Sequence, residues 1–125
     1  MKRKLVSSGS PFEKTMGFSR AVAAGPWCFV AGTVGRDPDG TFPDTVEAQT
    51  RNTLGIIGKA LAEAGFGFAD VVRVHYYIID VSYAAQITPI LGETFGEIRP
   101  AATMVVCGLI DPKMKVEIEV TAYRG

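Results

Sequence analysis

Residues 44–79 read DTVEAQTRNTLGIIGKALAEAGFGFADVVRVHYYII, and the change of period within them decides the fold. Val46, Thr50, Thr53, Leu54, Ile57, Leu61 and Ala64 recur at spacings of three and four, one apolar stripe of a helix. Asp44 is the expected N-cap, with Glu47 three residues on completing a capping box. Gly65 is placed to end the helix as the left-handed residue beyond its last turn. Val71 to Ile79 then turns β-branched and aromatic, which predicts a strand. Alternation puts Val72, Val74, Tyr76 and Ile78 on one face, and Val71, Arg73, His75, Tyr77 and Ile79 on the other.

Working outward, residues 4–7, 19–23 and 27–33 read as three strands, separated by Ser8-Gly9-Ser10-Pro11 and by the Gly25-Pro26 turn. Residues 35–40 are a loop by composition. On the other side, a second helix is expected from Ser82 to Phe95, burying Ile87, Ile90, Leu91 and Phe95. Pro89 should kink or restart it, because proline cannot donate the i→i−4 bond. Residues 102–107 and 115–123 complete the strands; the last alternates strictly, Val116, Ile118, Val120 and Ala122 against Lys115, Glu117, Glu119, Thr121 and Tyr123. The order is β-β-β-α-β-α-β-β, an α+β chain. Two helices can cover only one face of six strands. The other face mixes Val71, Tyr77 and Ile79 with charges, and a semi-apolar face of this kind meets a partner surface. A homo-oligomer is expected.

The 125 residues suit one domain, 1–125, because two cores of half that size would each be marginal. Thirteen basic and thirteen acidic side chains cancel, which argues against nucleic acid as a partner. Lys2-Arg3-Lys4 reads as a solvated end. A single histidine, His75, cannot assemble a zinc-type ligand cluster, and no metal or cofactor is expected. Cys28 and Cys107 lie in apolar runs and read as buried reduced thiols rather than a disulfide. No apolar stretch approaches the ~20 residues of a membrane span, and the charged N-terminus lacks the apolar region of a secretory signal. The cytoplasm is the expected location.

Several segments, in this order and spacing, resemble the Rid (YjgF-like, reactive intermediate deaminase) family. They are Gly17-Phe18-Ser19-Arg20-Ala21-Val22, Val30-Ala31-Gly32-Thr33, Glu47-Ala48-Gln49-Thr50, Ala62-Glu63-Ala64-Gly65, Asp70-Val71-Val72-Arg73-Val74, Phe95-Gly96, Arg99-Pro100-Ala101 and Val116-Glu117-Ile118-Glu119-Val120. The likeness spans about Lys4 to Tyr123. It implies a chorismate-mutase-like fold, a homotrimer, and small-molecule pockets between neighbouring subunits. The implied chemistry is hydrolysis of an imine or enamine acid to a keto acid and ammonia. Glu117 matches the glutamate associated with the catalytic water.

Other pocket positions depart from the family. Ala102 stands where deaminating members carry an arginine that grips the substrate carboxylate in a bidentate fork. Loss of such a charge-assisted pair costs roughly 1.5–3 kcal/mol, about 10- to 150-fold in binding. Phe18 replaces a tyrosine, Ala31 a serine and Thr88 an asparagine. Arg20, next to Phe18, either supplies a displaced positive charge or makes a surface or interface salt bridge; Arg99 precedes the proline and is not in the arginine's place. Thr33 and Thr103 are strand hydroxyls near the expected pocket, contacting ligand or simply packing, and Met104 follows them. Gly32 sets backbone geometry or lets a ligand approach the main chain. Arg73, His75 and Tyr77 form a polar patch at an interface or cover the sheet edge; no sequence neighbour is placed to orient His75 as a base. The resemblance therefore leaves a remodelled imine-hydrolysing pocket and a non-catalytic metabolite-binding module as the two main readings. An endoribonuclease or translation-inhibitor label is carried by some relatives, and zero net charge with no basic, aromatic-lined surface argues against it.

Overall fold

The computed structural model describes residues 2–125. In chain order the elements are β1 (Arg3–Val6), α1 (Phe12–Met16), β2 (Ala21–Ala24), β3 (Trp27–Thr33), α2 (Val46–Glu63), a single 3₁₀ turn (Phe68–Asp70), β4 (Val71–Ile78), α3 (Tyr83–Phe95), β5 (Ala101–Val106) and β6 (Val116–Tyr123). Among the described residues six strands form one mixed sheet in the order β1-β2-β3-β6-β4-β5. Only β4 and β5 pair in parallel, and α3 is the crossover between them. The expected α+β architecture is the one observed, with α2 and α3 on one face of the sheet.

That face is the core. The stripe of α2 buries Val46, Thr50, Thr53, Leu54, Ile57 and Leu61, and α3 adds Ile87, Ile90 and Phe95. The sheet meets them with Val30, Val74, Tyr76, Ile78, Val116, Ile118 and Val120. Gly65 closes α2 as expected: at φ +87° it donates to Ala62 O at 3.0 Å while Phe66 N–H reaches Leu61 O at 2.8 Å, a Schellman closure. The N-cap is Thr45 rather than Asp44, its hydroxyl accepting from Ala48 N–H at 3.1 Å. Both types cap well, and only the register of the first turn separates them.

Gln49 is fully buried at the head of α2. Its amide donates to Pro43 O and Lys113 O at 2.9 Å each, and its carbonyl accepts from Lys115 N–H at 2.9 Å. One side chain thus ties the loop before α2 to the loop before β6.

Three further readings are corrected. Helix α1 occupies a stretch to which the sequence assigns no element; five residues are too few to show a period. Helix α3 runs through Pro89 without a break; proline's missing amide removes the donor that would otherwise serve the carbonyl of Ala85. Val71 and Val72 exchange faces: Val71 is 3% exposed and Val72 44%. The β4–β6 register slips between Val71 and Arg73, a bulge whose extra residue resets which side chains point inward.

The second sheet face carries no helix. Trp27, Phe29, Val105 and Tyr123 remain 40–48% exposed there, and the rings of Trp27 and Tyr123 meet at 4.7 Å. Strand β5 is an edge: five of its six residues are exposed, and one row of its backbone groups has no partner strand among the described residues.

Candidate functional site

The site grows from an irregularity in β3. Val30 faces Val120 and Thr33 faces Ile118, so two residues, Ala31 and Gly32, stand opposite the single Glu119. A bulge of this kind turns backbone groups out of the ladder and re-aims side chains. Here it brings Gly32 against Glu117 of β6. A Cβ on Gly32 would lie 2.6 Å from Glu117 Oε2 and 3.0 Å from its Cδ. A side chain at this position would push the carboxyl aside, so the glycine is what lets Glu117 rest against the main chain. The Gly32 carbonyl, freed by the bulge, accepts a hydrogen bond from Arg20 Nη2.

Glu117 is half-buried on the helix-free face. Burial pushes its carboxyl above the usual carboxylate range, and the like charge of Glu119 adds to the effect; the Arg20 guanidinium works against both. Around it the face is polar and connected. His75 Nδ1 lies 3.0 Å from Glu119 Oε1, and Tyr77 Oη donates to the same oxygen at 2.6 Å. That bond, with desolvation and the charges of Glu119 and Glu117, pushes the Tyr77 phenol up to about 12. Tyr77 stands directly opposite Glu117 in the β4–β6 register. His75 therefore does have a carboxylate that orients it, supplied by β6 rather than by a sequence neighbour.

A groove of about 640 Å³ runs beneath α1 along this face, lined by Phe18, Ala31 and Glu119 together with Leu5, Val22 and Phe29. The structure thus gathers Phe18, Arg20, Ala31, Gly32 and Glu117 into one neighbourhood; the Phe18 ring lies 5.7 Å from the Arg20 guanidinium carbon.

The other predicted positions lie elsewhere. Thr33 is buried with its hydroxyl on Ala31 O at 2.7 Å, and it borders a separate cleft on the α2 side. Thr88 is exposed on α3 and bonded back to Ala84 O. On the edge strand, Thr103 pairs with His75 and shares its face, whereas Ala102 and Met104 pair with Val74 and Tyr76 and so face the helix side. Cys28 is buried; Cys107, which follows β5, is only half-buried, and both thiols are free.

Two contributors escaped the sequence reading. Glu119 looked like one more residue on a solvated strand face, and only the pairing of β6 with β4 joins it to His75 and Tyr77. Glu13 of α1 is buried, with Ser8 N–H and Oγ donating to its carboxylate at 2.9 and 2.7 Å. Desolvation raises this carboxyl, but the bonds from Ser8 and the charge of Arg20 outweigh it, and the group ends below its ordinary range.

Comparison with known proteins agrees with the fold and the motifs. Residues 9–124 match the family described as Endoribonuclease L-PSP. A Mycobacterium tuberculosis member of the YjgF/YER057c/UK114 family has a solved structure with a TM-score of 0.90 and 45% identity, covering 98% of this chain and 99% of that one. An uncharacterized protein of Streptomyces coelicolor is 39% identical over 96% of this chain and 91% of its own length. A RutC family protein of Pyrococcus horikoshii is 32% identical over 99% of both. No helix among the described residues is long and apolar enough to cross a membrane. With the family match, the relatives and the mixed sheet in agreement, this chain belongs to the YjgF/RutC (Rid) family.

Proposed function

We propose that this protein is a homotrimeric Rid-type hydrolase that takes an imine or enamine lacking a carboxylate handle into pockets between its copies, with Glu117 as the group that moves the proton. The observation that carries this reading is the Glu117 carboxyl seated against Gly32 at the β3 bulge. A carboxyl with raised proton affinity works nearer to neutral pH as both base and acid than an exposed one would. Glu117 accepts a proton from water as the water oxygen bonds to the imine carbon. Glu117 passes that proton to nitrogen, giving a carbinolamine; it then takes the hydroxyl proton and delivers it to the amino group as the C–N bond breaks, so that a carbonyl compound and ammonia leave. The phenol of Tyr77 and the His75–Glu119 pair stand on the same face to hold that water.

Two features support a site completed by a second copy. The helix-free face exposes Trp27, Phe29, Val105 and Tyr123 together, an aromatic and aliphatic cluster of the kind that marks interaction surfaces. The positions implied by the family also split between the bulge and the β5 edge, where Thr103 shares the bare face, so a second copy packed over this face and that edge would complete the site. Ala102 in place of the family's arginine leaves a substrate carboxylate without a fork, which is why a substrate without one is proposed. The same feature favours a second reading, a carrier that binds such a metabolite unchanged.

The test generates imines in situ with an amino-acid or amine oxidase and follows their loss by semicarbazide trapping. Faster hydrolysis of amine-derived imines by the native protein, lost about 10²-fold or more in Glu117→Gln, is the expected result. Activity confined to Ala102→Arg with amino-acid imines would show intact machinery but a different natural substrate. No activity in any variant, with a ligand that co-purifies unhydrolysed, would favour the carrier.

A further inference from the structure

Arg20 makes no salt bridge among the described residues, and its side-chain hydrogen bond is to the main chain. Its backbone sits where three strands converge: its N–H donates to Val6 O, and its carbonyl accepts from Ala31 N–H, both at 2.9 Å. Its side chain reaches the bulge next door, where Nη2 donates to the Gly32 carbonyl. Nε is buried without an acceptor among the described residues, and the Phe18 ring packs beside the guanidinium. A gripping arginine presents two parallel N–H groups to a ligand. This one has spent a donor on the main chain and buried another, so it is ill-suited to clamp a substrate carboxylate.

What it can act on is Glu117. Gly32 lies between them, its carbonyl toward Arg20 and its bare Cα toward the Glu117 carboxyl. The charged and titratable groups facing Glu117 are Glu119 on its own strand, Tyr77 from β4 and Arg20. Arg20 is faced in turn by Glu13 of α1; of the other cations on this face, His75 is already engaged by Glu119 and Arg73 pairs with Thr121, further along β6 from Glu117. Arg20 is therefore the positive charge on which the carboxylate form of Glu117 depends.

We propose that Arg20 is a positioning residue for Glu117: it fastens the Gly32 carbonyl, fixing the bulge on which the carboxyl rests, and places a positive charge behind that carboxyl. The proposal rests on Glu117 being the proton carrier, and it accounts for how a half-buried carboxyl between Glu119 and a phenol ionises at all. It also assigns Arg20 to the enzyme's machinery rather than to its ligand, which leaves the pocket mouth without a fixed guanidinium from this residue.

The test follows two carbon-13 signals, neither of which needs turnover: the Glu117 carboxyl through a pH titration, assigned with Glu117→Gln, and the Gly32 carbonyl. In Arg20→Gln the Glu117 midpoint should move to higher pH, because loss of a neighbouring cation disfavours the carboxylate, and the Gly32 carbonyl signal should move. In Arg20→Lys the midpoint should return toward the native value while the Gly32 signal stays displaced, since an ammonium restores charge but not the planar fork. On an imine that the native protein hydrolyses, Arg20→Gln should lower kcat about tenfold and carry the Glu117 limb of the pH profile upward. A folded Arg20→Gln with both signals at native positions would overturn the proposal. If that variant does not fold, a native Gly32 signal in Arg20→Lys overturns it instead. Displaced signals in a protein that hydrolyses no imine would leave the positioning role standing and remove the hydrolase reading. Native signals with active enzyme would do the reverse.

Discussion

The two faces of the sheet are written by the same strands in alternate residues, yet they obey different rules. On the helix-covered face, β6 contributes Val116, Ile118, Val120 and Ala122, all buried, and their partners on α2 and α3 are aliphatic or hydroxyl-bearing. Such a face is over-determined: many contacts specify each position, and the pattern survives in the sequence as a period. On the bare face β6 contributes Glu117, Glu119 and Thr121, and each acidic residue acquires its meaning from another strand. Glu119 has His75 and Tyr77; Glu117 has Gly32 and Arg20. One face is built by quantity of burial, the other by a few directed contacts.

If that contrast holds, the largest loss of stability should come from the covered side. Gln49→Leu keeps the volume but leaves Pro43 O, Lys113 O and Lys115 N–H without partners. At about 1 kcal/mol or more for each stranded group, unfolding should become easier by about 3 kcal/mol, read as a lower urea midpoint with an unchanged slope. A loss below 1 kcal/mol would mean water replaces the side chain and the loops are not tied by it.

On the bare face the expected effect is on assembly rather than on folding. Phe29→Glu introduces a charge into the apolar patch without touching the core. It should shift the proposed trimer to monomer in sedimentation while far-UV circular dichroism stays native. A trimer of unchanged stability would place the subunit contact elsewhere.

The smallest effect sharpens the comparison most. Glu117 has a raised proton affinity in the folded state, so the native protein bears no penalty where both states are protonated. It loses stability as pH rises from the ordinary carboxylate value through the folded one. Glu117→Gln does not titrate. Its Tm should match the native protein's in acid and exceed it by a few degrees at neutral pH, even as activity is lost. Equal Tm values at both pH values would mean the carboxylate is already well solvated there.

How much of this was legible follows from the same contrast. The α2 stripe, its end at Gly65 and the alternation of β6 were readable because each is a period or a conformational requirement carried by residue type. The family resemblance singled out Glu117 and Gly32 separately, and only the fold brings the one against the other. Neither bulge could be placed. At Val71-Val72 the two residues are identical, so no pattern can say which one turns inward. At Ala31-Gly32 the glycine hints at special backbone geometry, but which residue of β6 stands opposite is decided by long-range pairing. The link between His75 and Glu119 was also hidden, because it depends on which strand β6 lies beside, and strand order is a long-range property of the chain. Gln49 resembled any polar residue in the first turn of a helix; only its three partners, two of them more than sixty residues away, show it as core.

The uncovered edge of β5 has a consequence of another kind. The hydrogen-bonding groups along Ala101–Val106 are main-chain groups, the same in every protein, and so they cannot tell one chain from another. An organism that makes several related proteins of this fold at once gives each newly folded subunit a crowd of siblings with the same exposed ladder. In the trimer proposed above, recognition of self would come from side chains on the neighbouring face, from the fit of Trp27, Phe29, Val105 and Tyr123 against their counterparts. Drift at those few positions would be enough to separate two sister proteins into assemblies that no longer mix, long before their pockets diverged.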